Sequence, residues 1–326
     1  MMPPLLEVRD LHVQFNAKEG VVRALNGVSF TINQGEVVGL LGESGAGKTV
    51  TALATMGLVP YPGKVVSGQV LYRGRDLIAA GEQAMRDLRA EHIAIAFQDP
   101  VASLNPRLTI GAQIQEVFRA HKGMSKSEAR QAAVGLLKEV GMPDPERIMK
   151  AYTFQISGGM AQRVMLAIAI SLRPPLLLAD ELTSNLDVTL QADMLQRLRK
   201  LRAEHGTAVL LISHDLGVMA QMADRIIVMY AGRVVEEAPV RHFYHWPAHP
   251  YSWGMLSAVP RIDRDVRLQP IRGLAPDLRA LGEQCPFLPR CFKATVACRT
   301  QPVPGDTWLE DGHTVKCYNP LAAQED

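Results

Sequence analysis

The residues Gly42-Glu43-Ser44-Gly45-Ala46-Gly47-Lys48-Thr49 have the spacing GxxxxGK[ST]. They follow the apolar run Val37-Val38-Gly39-Leu40-Leu41 and lead into Val50-Thr51-Ala52-Leu53-Ala54, which can continue as a helix. Strand, glycine-rich turn and helix start together make a phosphate-binding loop: glycines turn backbone N–H groups towards one point, and the helix N-terminus adds positive potential. Lys48 can place its ammonium on the β/γ-phosphates, and the Thr49 hydroxyl can ligate Mg²⁺. Asp180 and Glu181 close a second apolar run, Leu176-Leu177-Leu178-Ala179. An isolated Asp-Glu pair is usually a solvated loop. At a strand end, in a chain with a phosphate loop, Asp180 suits Mg²⁺ and Glu181 suits an attacking water. Gln98 and His214 also follow apolar runs. The Gln98 amide can touch a metal or water, and a neutral His214 imidazole can bond a γ-phosphate oxygen, although a strand-end His alone is more often structural. Ser157-Gly158-Gly159 precedes the apolar stretch Val164–Leu172. It reads as a helix cap, and it is also a second helix start that can receive an anion.

The elements that must position these groups are legible as periodicity. Residues 5–15 alternate in part, with Leu6, Val8, Leu11, Val13 and Phe15, as a half-buried strand does. Further strands are expected over 22–25, 28–32, 37–41 and 93–97, with Gln98 at the end of the last, and 67–74 reads as a strand and turn. Over 106–172 the strand-like runs vanish and helical spacing takes over: Ile110, Ile114 and Phe118, then Ala133, Leu136, Leu137 and Val140. Ser125 and Ser127 are candidate N-caps there and Gly141 a candidate C-cap. Alternation resumes with a strand over 176–180, a helix over 188–203, a strand over 208–212 and a hairpin, 225–230 and 233–236, about Ala231-Gly232. Alternating strands and helices predict a mostly parallel sheet with ligands at strand C-terminal ends. From about residue 246 the chain becomes rich in Pro, Arg and Cys, which places a boundary after residue 245.

The 326 residues allow a substantial core and two domains. A formal net charge of +2 lends no support to nucleic-acid binding. The start, Met1-Met2-Pro3-Pro4-Leu5-Leu6-Glu7, lacks the basic and apolar regions of a secretory signal, and no apolar run has the ~18 residues of a membrane span. A cytosolic protein is expected. Its four cysteines, Cys285, Cys291, Cys298 and Cys317, have five, six and eighteen residues between them. In a reducing compartment this clustering favours metal binding over disulfides. The tight CxxC pairs of most zinc sites are absent, so the spacing leaves Zn²⁺, an iron–sulfur cluster and free thiols open.

Taken together, residues 5–245 resemble an ATP-binding-cassette ATPase. GESGAGKT stands as its Walker A motif, Gln98 as its Q-loop, Ile156-Ser157-Gly158-Gly159-Met160 as its signature, Leu176 to Glu181 as its Walker B motif, Ser184-Asn185-Leu186-Asp187 as its D-loop and His214 as its switch histidine. The resemblance implies an α/β P-loop NTPase: a RecA-like core, an antiparallel β subdomain, a helical insert at about 106–172 and a small Cys-containing C-terminal domain, 246–326. It implies nucleotide contacts from Phe15, stacked on adenine, from Gly42 to Val50, and from Gln98, Asp180 and Asp187. Thr49, Gln98 and Asp180 would hold Mg²⁺, with Glu181, His214, Gln98 and Lys48 catalytic. Two cassettes would face head to tail, so Ser157, Gly158 and Gly159 would serve the partner's nucleotide. Leu182 replaces the family's usual Pro, Asn185 a usual Ala, and Ile156 and Met160 the commonest signature residues; no catalytic group is lost.

Phe97-Gln98-Asp99-Pro100-Val101-Ala102-Ser103-Leu104-Asn105-Pro106 and the tail, with His249-Pro250-Tyr251 and Cys285-Pro286-Phe287-Leu288-Pro289-Arg290-Cys291, look like the oligopeptide/dipeptide/nickel importer branch. That likeness implies a second homologous ATPase, two permeases and an extracytoplasmic binding protein, with this chain peripheral on the cytoplasmic face of the membrane. Peptides, nickel, oligosaccharides and opines are the solutes it suggests. It also favours a [4Fe-4S] cluster on the four cysteines. A soluble cassette of DNA repair or translation and a non-hydrolysing regulatory cassette are the competing functions. The first lacks a second cassette and a coiled coil here; the second is opposed by Glu181.

Overall fold

The structure, a computed structural model, describes residues 3–184, 186–259, 270–310 and 312–322. Asn185 therefore lies outside the described residues. The chain forms two compact units.

One unit comprises residues 1–5, 32–36 and 79–213. Its strands Ile93–Ala96, Leu176–Asp180 and Ala208–Ile212 run parallel, with Ala96 opposite Ala179 and Asp180 opposite Ile212. The last two strands are buried at every position, which is why they read as unbroken apolar runs rather than as alternation. The insert is helical as expected: Ile110–Lys122, Lys126–Glu139, Pro145–Ile148 and Gly158–Ile170. Ile110, Ile114 and Phe118 face its core with Ala133 and Leu137. Ser125 caps the second helix in a reciprocal box with Glu128, while Ser127 falls inside that helix and caps nothing. Gly141 follows the end of that helix with φ of 66°. Helix Val188–His205 completes the unit, capped by the Asp187 carboxylate on the Leu190 N–H.

The other unit comprises residues 6–31, 37–78 and 214–326. Its antiparallel sheet orders the strands Gly20–Ile32, Leu6–Ala17, Gly63–Tyr72 and Arg75–Asp76. The two strands expected over 22–25 and 28–32 are one, because the Asn26 N–H between them bonds the Gly232 carbonyl at 2.8 Å. A second sheet pairs Val37–Leu41 in parallel with Arg225–Tyr230, which forms the expected hairpin with Arg233–Pro239. The tail extends this sheet: Thr314–Val315 pairs with the 233–239 strand, and Thr307–Trp308 with Thr314–Val315. Residues beyond 245 thus share a compact unit with the glycine-rich loop. Helices Leu77–Leu88, kinked at Gly81, and Leu216–Met222 are additions to the sequence reading. Among the described residues, no helix is long and apolar enough to cross a membrane.

Candidate nucleotide site and its supports

The strand Val37–Leu41 delivers the loop 42–47 into helix Lys48–Thr55. Gly42 and Gly47 are required sterically. A Cβ on Gly42 would lie 2.3 Å from the Met229 carbonyl oxygen, and one on Gly47, whose φ is 103°, would lie 2.8 Å from that of Ala24. Ser44, Gly45 and Thr49 are exposed and Ala46 is buried. Lys48 is 8% exposed, and its ammonium donates to the carbonyls of Gly42 at 2.7 Å and Glu43 at 3.0 Å, so the cation sits inside the curve of the loop. Val50 is the third residue of the helix and half-buried. Phe15 pairs with Gly63 across the antiparallel sheet, its ring filling the space that a Gly63 side chain would take.

Three more of the expected residues lie at the C-terminal ends of adjacent parallel strands. Asp180 ends its strand at 1% exposure, and Glu181 follows at 7%. Gln98 stands exposed two residues beyond Ala96. Glu181 has φ of 51°, an uncommon conformation for a residue with a side chain. It is held by its N–H on the Ile212 carbonyl at 2.9 Å and by its own carbonyl, which accepts from the Ser184 N–H and hydroxyl. His214 is exposed two residues after the strand Ala208–Ile212.

Ser157 caps helix Gly158–Ile170, its hydroxyl oxygen accepting from the Met160 N–H at 3.3 Å. Ser157 and Gly158 are exposed. A Cβ on Gly159 would meet Leu190 Cδ1 at 3.1 Å, so this glycine allows the helix start to approach the segment after Leu186. Gln162, which the sequence reading passed over, is 3% exposed and donates its amide to the Leu182 carbonyl. It ties the Ser-Gly-Gly helix to the turn that carries Glu181 and Leu182.

Two residues of the tail segments noted in the sequence also hold the loop, through contacts the sequence does not show. The Arg290 guanidinium grips both carboxylate oxygens of Glu43, at 2.8 and 3.0 Å. Its side chain is 7% exposed, and it also donates to the Tyr230 hydroxyl at 3.1 Å. The Glu43 carboxylate raises the guanidinium still further above its ordinary range. The Tyr251 hydroxyl accepts from the Glu43 N–H at 2.7 Å. Phe287 packs edge-on against Tyr230, centroids 5.2 Å apart, and tilted against Tyr251 at 5.4 Å. Within the Cys285-to-Cys291 segment no local pattern marks Arg290 as a partner of the loop.

Cys285, Cys291, Cys298 and Cys317 line one small cavity of about 20 Å³ with His249, Phe287 and Lys316. Burial raises the Cys285 and Cys291 thiols and brings Cys317 up to about 11; neighbouring thiols add to the rise. Four sulfurs around one cavity match the donor chemistry of a cluster. Among the described residues, however, no group of three or more His, Cys, Asp or Glu side chains is arranged to hold a metal ion. The expected cluster therefore gains a shared cavity from the fold but no assembled ligand set.

Family comparisons agree with these motifs. The ABC transporter family model matches residues 25–184, and the oligopeptide/dipeptide transporter C-terminal region matches 235–298. The chain is 44% identical to the dipeptide transport ATP-binding protein DppD of Bacillus subtilis over 97% of its own length and 95% of that protein's. It is 45% identical to the oligopeptide transport ATP-binding protein OppD of Salmonella typhimurium, over 97% and 94%. A dimeric ATP-binding cassette in a post-hydrolysis state, bound to ADP and Pi, superposes with a TM-score of 0.66 at 28% identity, over 72% of this chain and 99% of that one. The chain belongs to the ATP-binding subunits of the oligopeptide/dipeptide ABC transporter family.

Proposed function

We propose that this chain binds and hydrolyses ATP to power import of peptides, or of a related small solute, by an ABC transporter. Near-complete alignment with dipeptide and oligopeptide transport subunits, tail included, is the observation that carries the reading. It disfavours a repair or translation cassette. The partners are a second homologous ATPase, two permeases and an extracytoplasmic binding protein, and the chain works on the cytoplasmic face of the membrane. Its functional division is a nucleotide-binding domain over 1–245 and an appended tail over 246–326.

Each residue has a task in this proposal. The loop 42–49 wraps the phosphates with backbone N–H groups, and Lys48 turns its ammonium from loop carbonyls towards the β/γ-phosphates. Phe15 supports the base. Thr49, Asp180 and Gln98 would hold Mg²⁺, which when bound neutralises phosphate charge. Glu181, fixed by its backbone bonds, orients the attacking water and takes its proton; His214 hydrogen-bonds the γ-phosphate. Ser157 and Gly158, exposed at a helix start, and the half-buried Gly159 address the nucleotide of the partner cassette, with Asp187 at the adjoining helix start. The four tail thiols would bind a [4Fe-4S] cluster in a structural role, stapling a segment with little core of its own. Glu181→Gln tests the reading in the assembled transporter. It should bind ATP as the parent does and lose turnover by about 10²-fold or more. Hydrolysis at the parent rate would remove Glu181 from its role.

A further inference from the structure

We propose that Arg290 is a positioning residue for the nucleotide's phosphates, acting through Glu43 of the glycine-rich loop. The inference rests on the reading of residues 42–49 as the nucleotide loop. A carboxylate in that loop is a liability, because it adds negative charge beside a polyphosphate. Here both Glu43 oxygens are taken by one guanidinium, at 2.8 and 3.0 Å, in the bidentate geometry that fixes orientation as well as charge. The Arg290 side chain is itself 7% exposed and anchored on the Tyr230 hydroxyl, so it is a rigid neutraliser and not a mobile surface cation. From the same side the Tyr251 hydroxyl takes the Glu43 N–H, while Lys48 holds the Gly42 and Glu43 carbonyls from within the loop. The first turn of the loop is thus fixed on two sides, one of them supplied by residues 208 and 247 positions later in the chain.

The test is a double-mutant cycle on the full-length chain, with Mg²⁺ and the fluorescent analogue mant-ATP as probe. Arg290→Gln unmasks the Glu43 carboxylate and should raise Kd about tenfold, within the usual range for coupled sites. In a Glu43→Gln background the same change should cost less than about twofold, because the charge that Arg290 masks has gone. A structural role for Arg290 that does not run through Glu43 would weaken binding equally in both backgrounds. Equal losses, or parent-like binding by Arg290→Gln, would overturn the proposal. Lys48→Ala is the separate control: if it binds mant-ATP as the parent does, the nucleotide-loop reading falls, and this inference with it. Should Arg290→Gln fail to fold, Arg290→Lys carries the cycle. A single ammonium cannot reproduce the two-point grip, so this variant should give a smaller loss that again depends on Glu43.

Discussion

Replacing Glu236 by Gln exchanges one carboxylate oxygen for an NH₂ and should loosen the whole tail. Glu236 is 1% exposed. Its Oε1 accepts from the Ala248 N–H at 2.7 Å and from the His313 ring at 2.8 Å, and its Oε2 accepts from the His249 N–H at 2.7 Å. Three donors converge on two acceptor oxygens. Glutamine offers one oxygen and one NH₂, so in its better rotamer the NH₂ faces the His249 N–H. One bond to a charged acceptor disappears, worth roughly 1.5–3 kcal/mol, and a buried N–H is left unpaired at a further cost of roughly 1–3 kcal/mol. Allowing for relaxation, the expected loss is about 3–5 kcal/mol. The assay is local by good fortune of sequence. The chain's three tryptophans, Trp246, Trp253 and Trp308, all lie beyond residue 245, so their fluorescence reports the tail. With an m-value of about 2 kcal/mol/M in urea, the midpoint should fall by roughly 2 M. A shift under about 0.3 M would show that the carboxylate is not what holds the chain at 248–249.

Three further outcomes are expected. Gln162→Leu leaves the Leu182 carbonyl without its amide donor and should cost about 1–3 kcal/mol in thermal unfolding. It should also slow ATP turnover in the assembled complex while mant-ATP affinity holds; parent-like turnover would separate this tie from catalysis. Burial holds the His249 imidazole down at about 4, partly countered by Glu236, so the folded state keeps it neutral while the unfolded chain takes a proton near its ordinary value of about 6.5. Its stabilising contribution is full above that pH and lost on acidification, by about 2 kcal/mol at pH 5 and about 3 kcal/mol at pH 4. His249→Asn, which can still cap the Tyr251 N–H, should flatten that window, and matching acid slopes would contradict the assignment. Anaerobically purified protein should carry about four irons per chain, released with loss of colour by an iron chelator. Colourless, iron-free protein would leave the thiols as plain cysteines.

Legibility in the sequence followed the range of the forces involved. The loop 42–49, the strand 176–180 and the insert helices are set by local rules: glycine spacing, an apolar run and a 3.6-residue period. The strand lies at 176–180 as expected, and the insert, read only as helical over about 106–172, divides into the helices described above. The cap at Ser125 was legible because its partner Glu128 is three positions away. Ser127, of the same residue type, could not be told apart until the helix start was fixed. The strand Gly20–Ile32 is continuous although its apolar pattern breaks at Asn26-Gly27, where the Asn26 N–H bonds the distant Gly232 carbonyl. Gln162 and Arg290 were invisible for the same reason. Their partners, Leu182 and Glu43, are 20 and 247 positions distant, and only tertiary register brings them together.

The separation between Glu43 and Arg290 also sets a clock. A ribosome adding roughly 5–20 residues per second needs about 12–50 s to go from one to the other. For most of that interval the glycine-rich loop has neither Tyr251, which follows Glu43 by 208 residues, nor Arg290, and its compact unit gains the residues from 214 onward only late in it. The unit closes only when the last quarter of the chain emerges. A nascent or truncated chain stopping before the tail therefore carries the complete nucleotide motif in an unfinished scaffold. In such a chain Glu43 is present long before the Tyr251 and Arg290 side chains that hold it.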